Sequence, residues 1–203
     1  MEIENLFQVP IGYFKPNCLL NDEELLYINK ELENTRLNMS NQVSNNTYVL
    51  RSKELKKLNK FCLDSLNEFT TTIYGQPINL RITQSWLNIT KPNEFHHIHS
   101  HSNSVISGVY YVQTSESDKI QFEREGGSGS YDIFVEPENW NRWNSKNWWL
   151  PTPQNSLILF KSDLKHQVPT VTSTTNRISL SFNTFFSEGF GYEKAMSYVD
   201  MRP

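Results

Sequence analysis

The spacing of the apolar residues switches from helical to alternating at Gly75-Gln76-Pro77, and that change limits the fold. Upstream, Leu55, Leu58, Cys62, Leu66, Phe69 and Ile73 recur at steps of three and four, which marks one face of a helix. Downstream, apolar residues alternate with polar ones in short runs, as in half-buried strands. Strands are expected at 79–90, 104–113, 119–123, 131–135, 156–161 and 177–186, separated by turn residues such as Lys91-Pro92-Asn93. Helices followed by many strands predict a mostly β domain with an N-terminal helical layer packed on it.

The upstream part supplies that layer. Residues 6–14 read as a strand interrupted at Pro10. Asn21-Asp22-Glu23-Glu24 is a polar, acidic start for a first helix, whose apolar face is Leu25, Ile28 and Leu32. Residues 41–48 are polar and read as a loop, and a second helix is expected over 52–74. With 203 residues the chain suits one domain. Its parts would be a strand and two supporting helices at 1–78, a strand-rich core at 79–186 and a tail at 187–203. The run Gly126-Gly127-Ser128-Gly129-Ser130 has no lysine after it, so it reads as a turn and not a phosphate loop.

A net charge of −3 points to neither nucleic acid nor an anionic membrane as a partner. Lys53, Lys56, Lys57 and Lys60 read as the solvated side of the second helix. No apolar run reaches the roughly 20 residues that span a bilayer, and the acidic start Met-Glu-Ile-Glu is unlike a signal peptide. A cytoplasmic location is therefore expected. Cys18 and Cys62 fit no metal spacing and read as free thiols.

Four of the five histidines fall within six residues, His96-His97-Ile98-His99-Ser100-His101, and the fifth, His166, stands far downstream. On a strand, His97, His99 and His101 would share one face and His96 the other. Two neighbours on that face plus one distant histidine can grip one ion from two places. His97 with His99 has the same geometry as His99 with His101, so the pair stays open on spacing alone. Imidazole donors suit Fe(II), Zn(II), Cu or Ni and disfavour Ca and Mg. Eleven residues past His166, Arg177 and Ser179 lie on one face of a strand. A guanidinium fork with a hydroxyl beside it is matched to a carboxylate ligand.

These residues resemble the 2-oxoglutarate/Fe(II)-dependent oxygenase superfamily, and within it a small family from marine bacteria and phages. The resemblance runs from Ser85-Trp86-Leu87-Asn88 through His99-Ser100-His101-Ser102-Asn103-Ser104 and Ser107-Gly108-Val109-Tyr110-Tyr111. It resumes at Leu157-Ile158-Leu159-Phe160, His166 and Arg177-Ile178-Ser179. It implies a double-stranded β-helix, the jelly roll shared with cupins. It implies Fe(II) on His99, His101 and His166, and 2-oxoglutarate as cosubstrate anchored by Arg177 and Ser179. Asn88 and Tyr110 sit on strands that could line the cosubstrate pocket. The activity implied is hydroxylation of a substrate, a protein or peptide side chain among the options, with release of succinate and CO2.

Two positions depart from the usual pattern. Most of the superfamily places a carboxylate where His101 stands, which changes the charge around the metal from one net negative to neutral. Asn155 stands before a strand where a glycine is usual. His96 and His97 would then be neighbours of the metal site or plain surface residues. A cupin-like three-histidine enzyme that does not use 2-oxoglutarate is the second reading, and Arg177 separates the two. A third is a non-catalytic binding module built on Trp140, Trp143, Trp148 and Trp149, whose rings could equally form a lid or cover a barrel edge. A homo-oligomer is compatible with each.

Overall fold

The computed structural model describes residues 1–4, 6, 8–17, 19–124 and 136–201. The chain begins with strand β1 (Ile11–Phe14), helix α1 (Asp22–Leu32) and the hairpin β2 (Thr35–Asn38) and β3 (Asn41–Ser44). Helix α2 (Lys56–Tyr74) leads into β4 (Leu80–Thr90), β5 (His96–His99), β6 (Ile106–Gln113) and β7 (Lys119–Glu123). Then come β8 (Asn147–Pro151), β9 (Leu157–Lys161), β10 (His166–Val168) and β11 (Arg177–Phe186). A two-stranded ribbon, β12 (Gly189–Phe190) with β13 (Val199–Asp200), lies near the C-terminus.

Seven strands form one sheet in the order β1-β9-β6-β11-β4-β3-β2, and four form a second in the order β5-β10-β7-β8. All their pairings are antiparallel. Two such sheets face to face make the expected jelly roll. Among the described residues no helix is long and apolar enough to cross a membrane.

Alternation along the central strands sorts side chains to two cores. Leu87, Tyr110, Leu180 and Phe182 pack outward against Leu58, Cys62, Leu66 and Phe69 of α2. Val109, Tyr111, Ile158 and Phe160 point inward and meet Ile120 and Phe122 of the smaller sheet. The helices are well terminated. Asn21 Oδ1 accepts from the Glu24 N–H, and Glu24 Oε2 accepts from the Asn21 N–H, both at 2.9 Å, a complete capping box. Gly75 ends α2 in the left-handed conformation at φ 71°.

Several elements differ from the sequence reading. The first strand is only Ile11–Phe14, after Pro10. The expected loop at 41–48 contains β3 instead. Asn41 and Ser44 are fully buried there, and the Ser44 hydroxyl accepts from the Leu87 N–H at 3.0 Å and donates to the Asn46 carbonyl at 2.7 Å. Helix α2 starts at Lys56, later than expected, and before it Val49–Arg51 make a separate 3-10 turn that buries Val49 and Leu50. The Trp segment holds a strand, β8, which pairs with β7. The expected strand at 131–135, the Gly126 to Ser130 run and Cys18 lie outside the described residues, while Cys62 is buried and free.

Gly108 shows how tight the outward core is. A Cβ there would overlap the ring of Phe182 on the neighbouring strand. Gly108→Ala is therefore expected to destabilise by about 1–3 kcal/mol, as overpacking does. Urea denaturation measures it, and Phe182→Leu in the same chain should return part of the loss.

Candidate metal centre

Strand β5 pairs antiparallel with β10, and the register sets His99 directly opposite His166. The chain then leaves β5, and the His101 N–H donates to the Ser162 carbonyl at 2.9 Å, just past the end of β9. Three imidazoles converge as a result. Ring centroids are 4.4 Å apart for His99 and His166, 5.1 Å for His101 and His166, and 5.0 Å for His99 and His101. Their ligand atoms all lie within 4.8 Å of one another.

Two of the three rings are held in a metal-ready tautomer. His99 Nδ1 lies 2.8 Å from the His97 carbonyl, and His166 Nδ1 lies 2.9 Å from the Leu164 carbonyl. A carbonyl only accepts, so Nδ1 carries the proton and Nε2 keeps its lone pair. Burial also keeps the rings neutral. It pushes His166 down to about 3 and His101 to about 4, helped in each by neighbouring histidines, and it lowers His99 as well. Neutral imidazole is the form that binds metals.

His96 does not sit where strict alternation puts it. Its ring stacks on His99 at 4.4 Å and lines the same cleft. The register of β5 against β10 shifts between His166 and Val168, and this irregularity breaks the two-residue period. The ligand atoms of His96, His97 and His99 also lie within 4.8 Å of one another, so His99 belongs to two overlapping triads. Of these two, only the triad with His166 falls wholly in the cleft that also holds Arg177.

At its inner end this cleft is built for an anion. Arg177 is 2% exposed, and no salt bridge to it is formed among the described residues. Its Nη1 reaches Ser179 Oγ only at 3.5 Å, and its Nε has no partner. Ser179 pairs with Asn88 on β4 and with Tyr111 on β6, so the three residues lie in a row across adjacent strands. Asn88 donates to Ser181 Oγ at 2.9 Å, while its Oδ1 and the Tyr111 hydroxyl are buried without partners. The Arg177 guanidinium carbon is 5.2 Å from the Tyr111 ring centre. Unpaired buried groups of this kind cost about 1–3 kcal/mol each, and a bound carboxylate, which only accepts, would satisfy the two donors among them, the Arg177 Nε–H and the Tyr111 hydroxyl.

Of the residues singled out in the sequence, His99, His101, His166, Arg177, Ser179 and Asn88 are brought together along this cleft. Tyr110 is not. Being next to Tyr111 on a strand, it faces the other way, packs edge-on against Phe61 at 6.4 Å and donates to Asn155 Oδ1 at 3.2 Å. Tyr111 instead pairs with Ser179 and sets its ring beside the Arg177 guanidinium, a distinction between the two tyrosines that residue spacing alone does not carry. Asn155 adopts φ 58°, which explains the usual glycine there and why asparagine serves. Trp140, Trp143 and Trp149 are exposed, and the tryptophan that lines the cleft is Trp86. Lys119 instead lies 3.9 Å above the Trp149 ring.

The donor set and the anion cradle fit a transition metal with a carboxylate cosubstrate. Comparison with known proteins agrees. A family profile described as "Putative 2OG-Fe(II) oxygenase" matches residues 84–183, the stretch that carries every residue of the cleft. No curated protein matches by sequence. The fold is similar to that of a 2OG-Fe(II) oxygenase family oxidoreductase from Burkholderia pseudomallei, with 13% identity, TM-score 0.56, and 85% of this chain and 84% of that one covered. It is also similar to a Pseudomonas putida prolyl-4-hydroxylase, with 11% identity, TM-score 0.56 and coverage of 88% and 94%. HygX from Streptomyces hygroscopicus, crystallised with nickel, 2-oxoglutarate and hygromycin B, has 9% identity, TM-score 0.57 and coverage of 88% and 84%.

The lowered histidine pKa values predict an acid-sensitive metal-free protein. In the unfolded chain these imidazoles titrate near 6.5, whereas in the fold His101 and His166 hold off protons until about 4 and 3. The unfolded state therefore takes up protons first as pH falls. Their contribution to stability is complete above pH 6.5 and is lost as pH drops toward 3. Denaturation of the metal-stripped protein across this range should show the decline, and His166→Gln should make it shallower.

Proposed function

We propose that this chain, whose residues 84–183 match a 2OG-Fe(II) oxygenase profile, hydroxylates an organic substrate with O2, 2-oxoglutarate being converted to succinate and CO2. His99, His101 and His166 would hold the Fe(II), and Arg177 with Ser179, Asn88 and Tyr111 would hold the cosubstrate. The observation that carries this reading is the buried Arg177, in no salt bridge among the described residues, in the same cleft as the three imidazoles. A structural metal site needs no such cation, and a cupin-like enzyme without 2-oxoglutarate leaves it unexplained.

The residues divide the work. The three imidazoles bind as neutral donors, each presenting one nitrogen. Arg177 meets the far carboxylate of the cosubstrate with its planar fork, which orients the molecule along the cleft. Ser179 and the Tyr111 hydroxyl can donate to the same carboxylate, and Asn88 is held beside them by Ser181. Val109, Ile120 and Val168 line the cleft between the two ends and exclude water from it. Bound iron and 2-oxoglutarate would activate O2, the oxidant; the protein supplies binding, orientation and a dry wall. The substrate class proposed, a protein or peptide side chain, rests on fold likeness to the P. putida prolyl-4-hydroxylase alone.

Anaerobic titration tests the cosubstrate and its anchor together. Adding Fe(II) and then 2-oxoglutarate should produce a metal-to-ligand charge-transfer band in the visible. Arg177→Ala should weaken 2-oxoglutarate binding by about 3–5 kcal/mol, since it strands a buried carboxylate, while leaving metal binding in place. A parent protein without the band, or a band equally strong in Arg177→Ala, sinks the proposal.

A further inference from the structure

Two of the three candidate ligands present Nδ1 to a backbone carbonyl; the third does not. His101 Nδ1 lies 3.4 Å from the side-chain amide nitrogen of Asn183, on β11. The other end of that amide, Oδ1, accepts from Ser107 Oγ at 2.9 Å. Ser107 Oγ is 2.8 Å from Ser162 Oγ, and Ser162 Oγ is 2.7 Å from Ser104 Oγ. Ser104 in turn donates to the Ile106 carbonyl at 3.3 Å. Ser107 and Ser162 are buried, so these hydroxyls have one another as partners. The result is an unbroken line from His101 through Asn183 and three serines to a carbonyl of the central sheet.

A hydroxyl donates one proton, and an amide donates from nitrogen and accepts at oxygen. The line therefore has two settings. In one, Ser107 donates to Asn183 Oδ1 and Asn183 Nδ2 donates to His101 Nδ1. The proton of His101 is then on Nε2, where it blocks a metal. In the other, the amide is turned by half a revolution. His101 Nδ1–H donates to Asn183 Oδ1, Asn183 Nδ2–H donates to Ser107, Ser107 to Ser162, Ser162 to Ser104, and Ser104 to the Ile106 carbonyl. In that second setting the ring N–H, the amide N–H that faces Ser107 and all three hydroxyls find an acceptor, and Nε2 of His101 keeps its lone pair.

We propose that Asn183 is a positioning residue for His101: its amide takes the Nδ1 proton and, backed by the serine line, presents Nε2 to the metal. This rests on His101 being a ligand. Asn183 does for His101 what the carbonyls of His97 and Leu164 do for His99 and His166, with one difference. A backbone carbonyl can only accept, whereas the amide can turn, so the tautomer of His101 is set by a side chain from another strand.

Zinc affinity, measured by competition with a chromophoric chelator, and nitrogen NMR of the His101 imidazole test this without any need for turnover. Asn183→Leu should weaken zinc binding tenfold or more, the usual cost of losing an outer partner of a ligand, with the melting temperature of the metal-free protein largely kept. Asn183→Asp offers only acceptors, so it should bind zinc at least as tightly as the parent and place the His101 proton on Nδ1 even without zinc. In the parent that proton should be on Nδ1 when zinc is bound. Parent-like affinity in Asn183→Leu overturns the proposal, as does weaker binding in Asn183→Asp, which decides alone if the leucine variant fails to fold. His101→Ala separates the two layers of the argument. If it too keeps full affinity, the ligand assignment falls; if it loses affinity while the Asn183 variants do not, only the role of Asn183 falls.

Discussion

Strand β11 sits in the middle of the large sheet, between β4 and β6, and its alternation divides the molecule. Ile178, Leu180 and Phe182 point to the helices, while Arg177, Ser179 and Ser181 line the cleft on the other face. A slip of one residue in register would exchange the two sets. The apolar set prevents it, because each fully buried leucine or phenylalanine is worth about 1.5–3 kcal/mol. The polar set has no comparable hold of its own. The helical layer, which touches none of the chemistry, is therefore what fixes the position of every inward-facing group on this strand.

That arrangement separates stability from function by face. The outward core is apolar and close-packed, down to a glycine that makes room for Phe182. The inward face carries groups that weaken the fold when nothing is bound: the Arg177 Nε, the Tyr111 hydroxyl, the Asn88 carbonyl oxygen and the Thr90 hydroxyl are buried without partners. A ligand that satisfies them binds a prepared surface and does not need to reorganise it.

The sequence made the apolar skeleton legible and left the polar geometry hidden. β7 and β11 fall at the residues expected, and α1 begins where Asn21 and three acids announce it. β3 escaped because two of its three buried residues, Asn41 and Ser44, are polar and hydropathy reads them as loop, while the hydrogen bonds that settle Ser44 inside depend on residues elsewhere in the fold. Tyr110 and Tyr111 are chemically identical neighbours, and choosing between them needs the register against Ser179. His96 entered the cleft through an irregularity in strand pairing that no residue spacing records. The three histidines and Arg177 stood out because their residue types are costly to bury, and the fold does bring them to one cleft. Asn183 was not, because asparagine is common in this chain and its meaning lies in what stands opposite.

The origin of the three imidazoles has a mechanical consequence. His99 and His166 belong to the small sheet, whereas His101 is tied through its backbone to Ser162, at the edge of the large one. An ion held by all three, as proposed, would be a clasp between the two sheets as well as a reagent. The two sheets are joined there at a point where β10 is only three residues long and the ladder is irregular. Loading the proposed site would tie the two sheets together at that point and emptying it would release the tie, so the metal would brace the cleft as well as serve its chemistry.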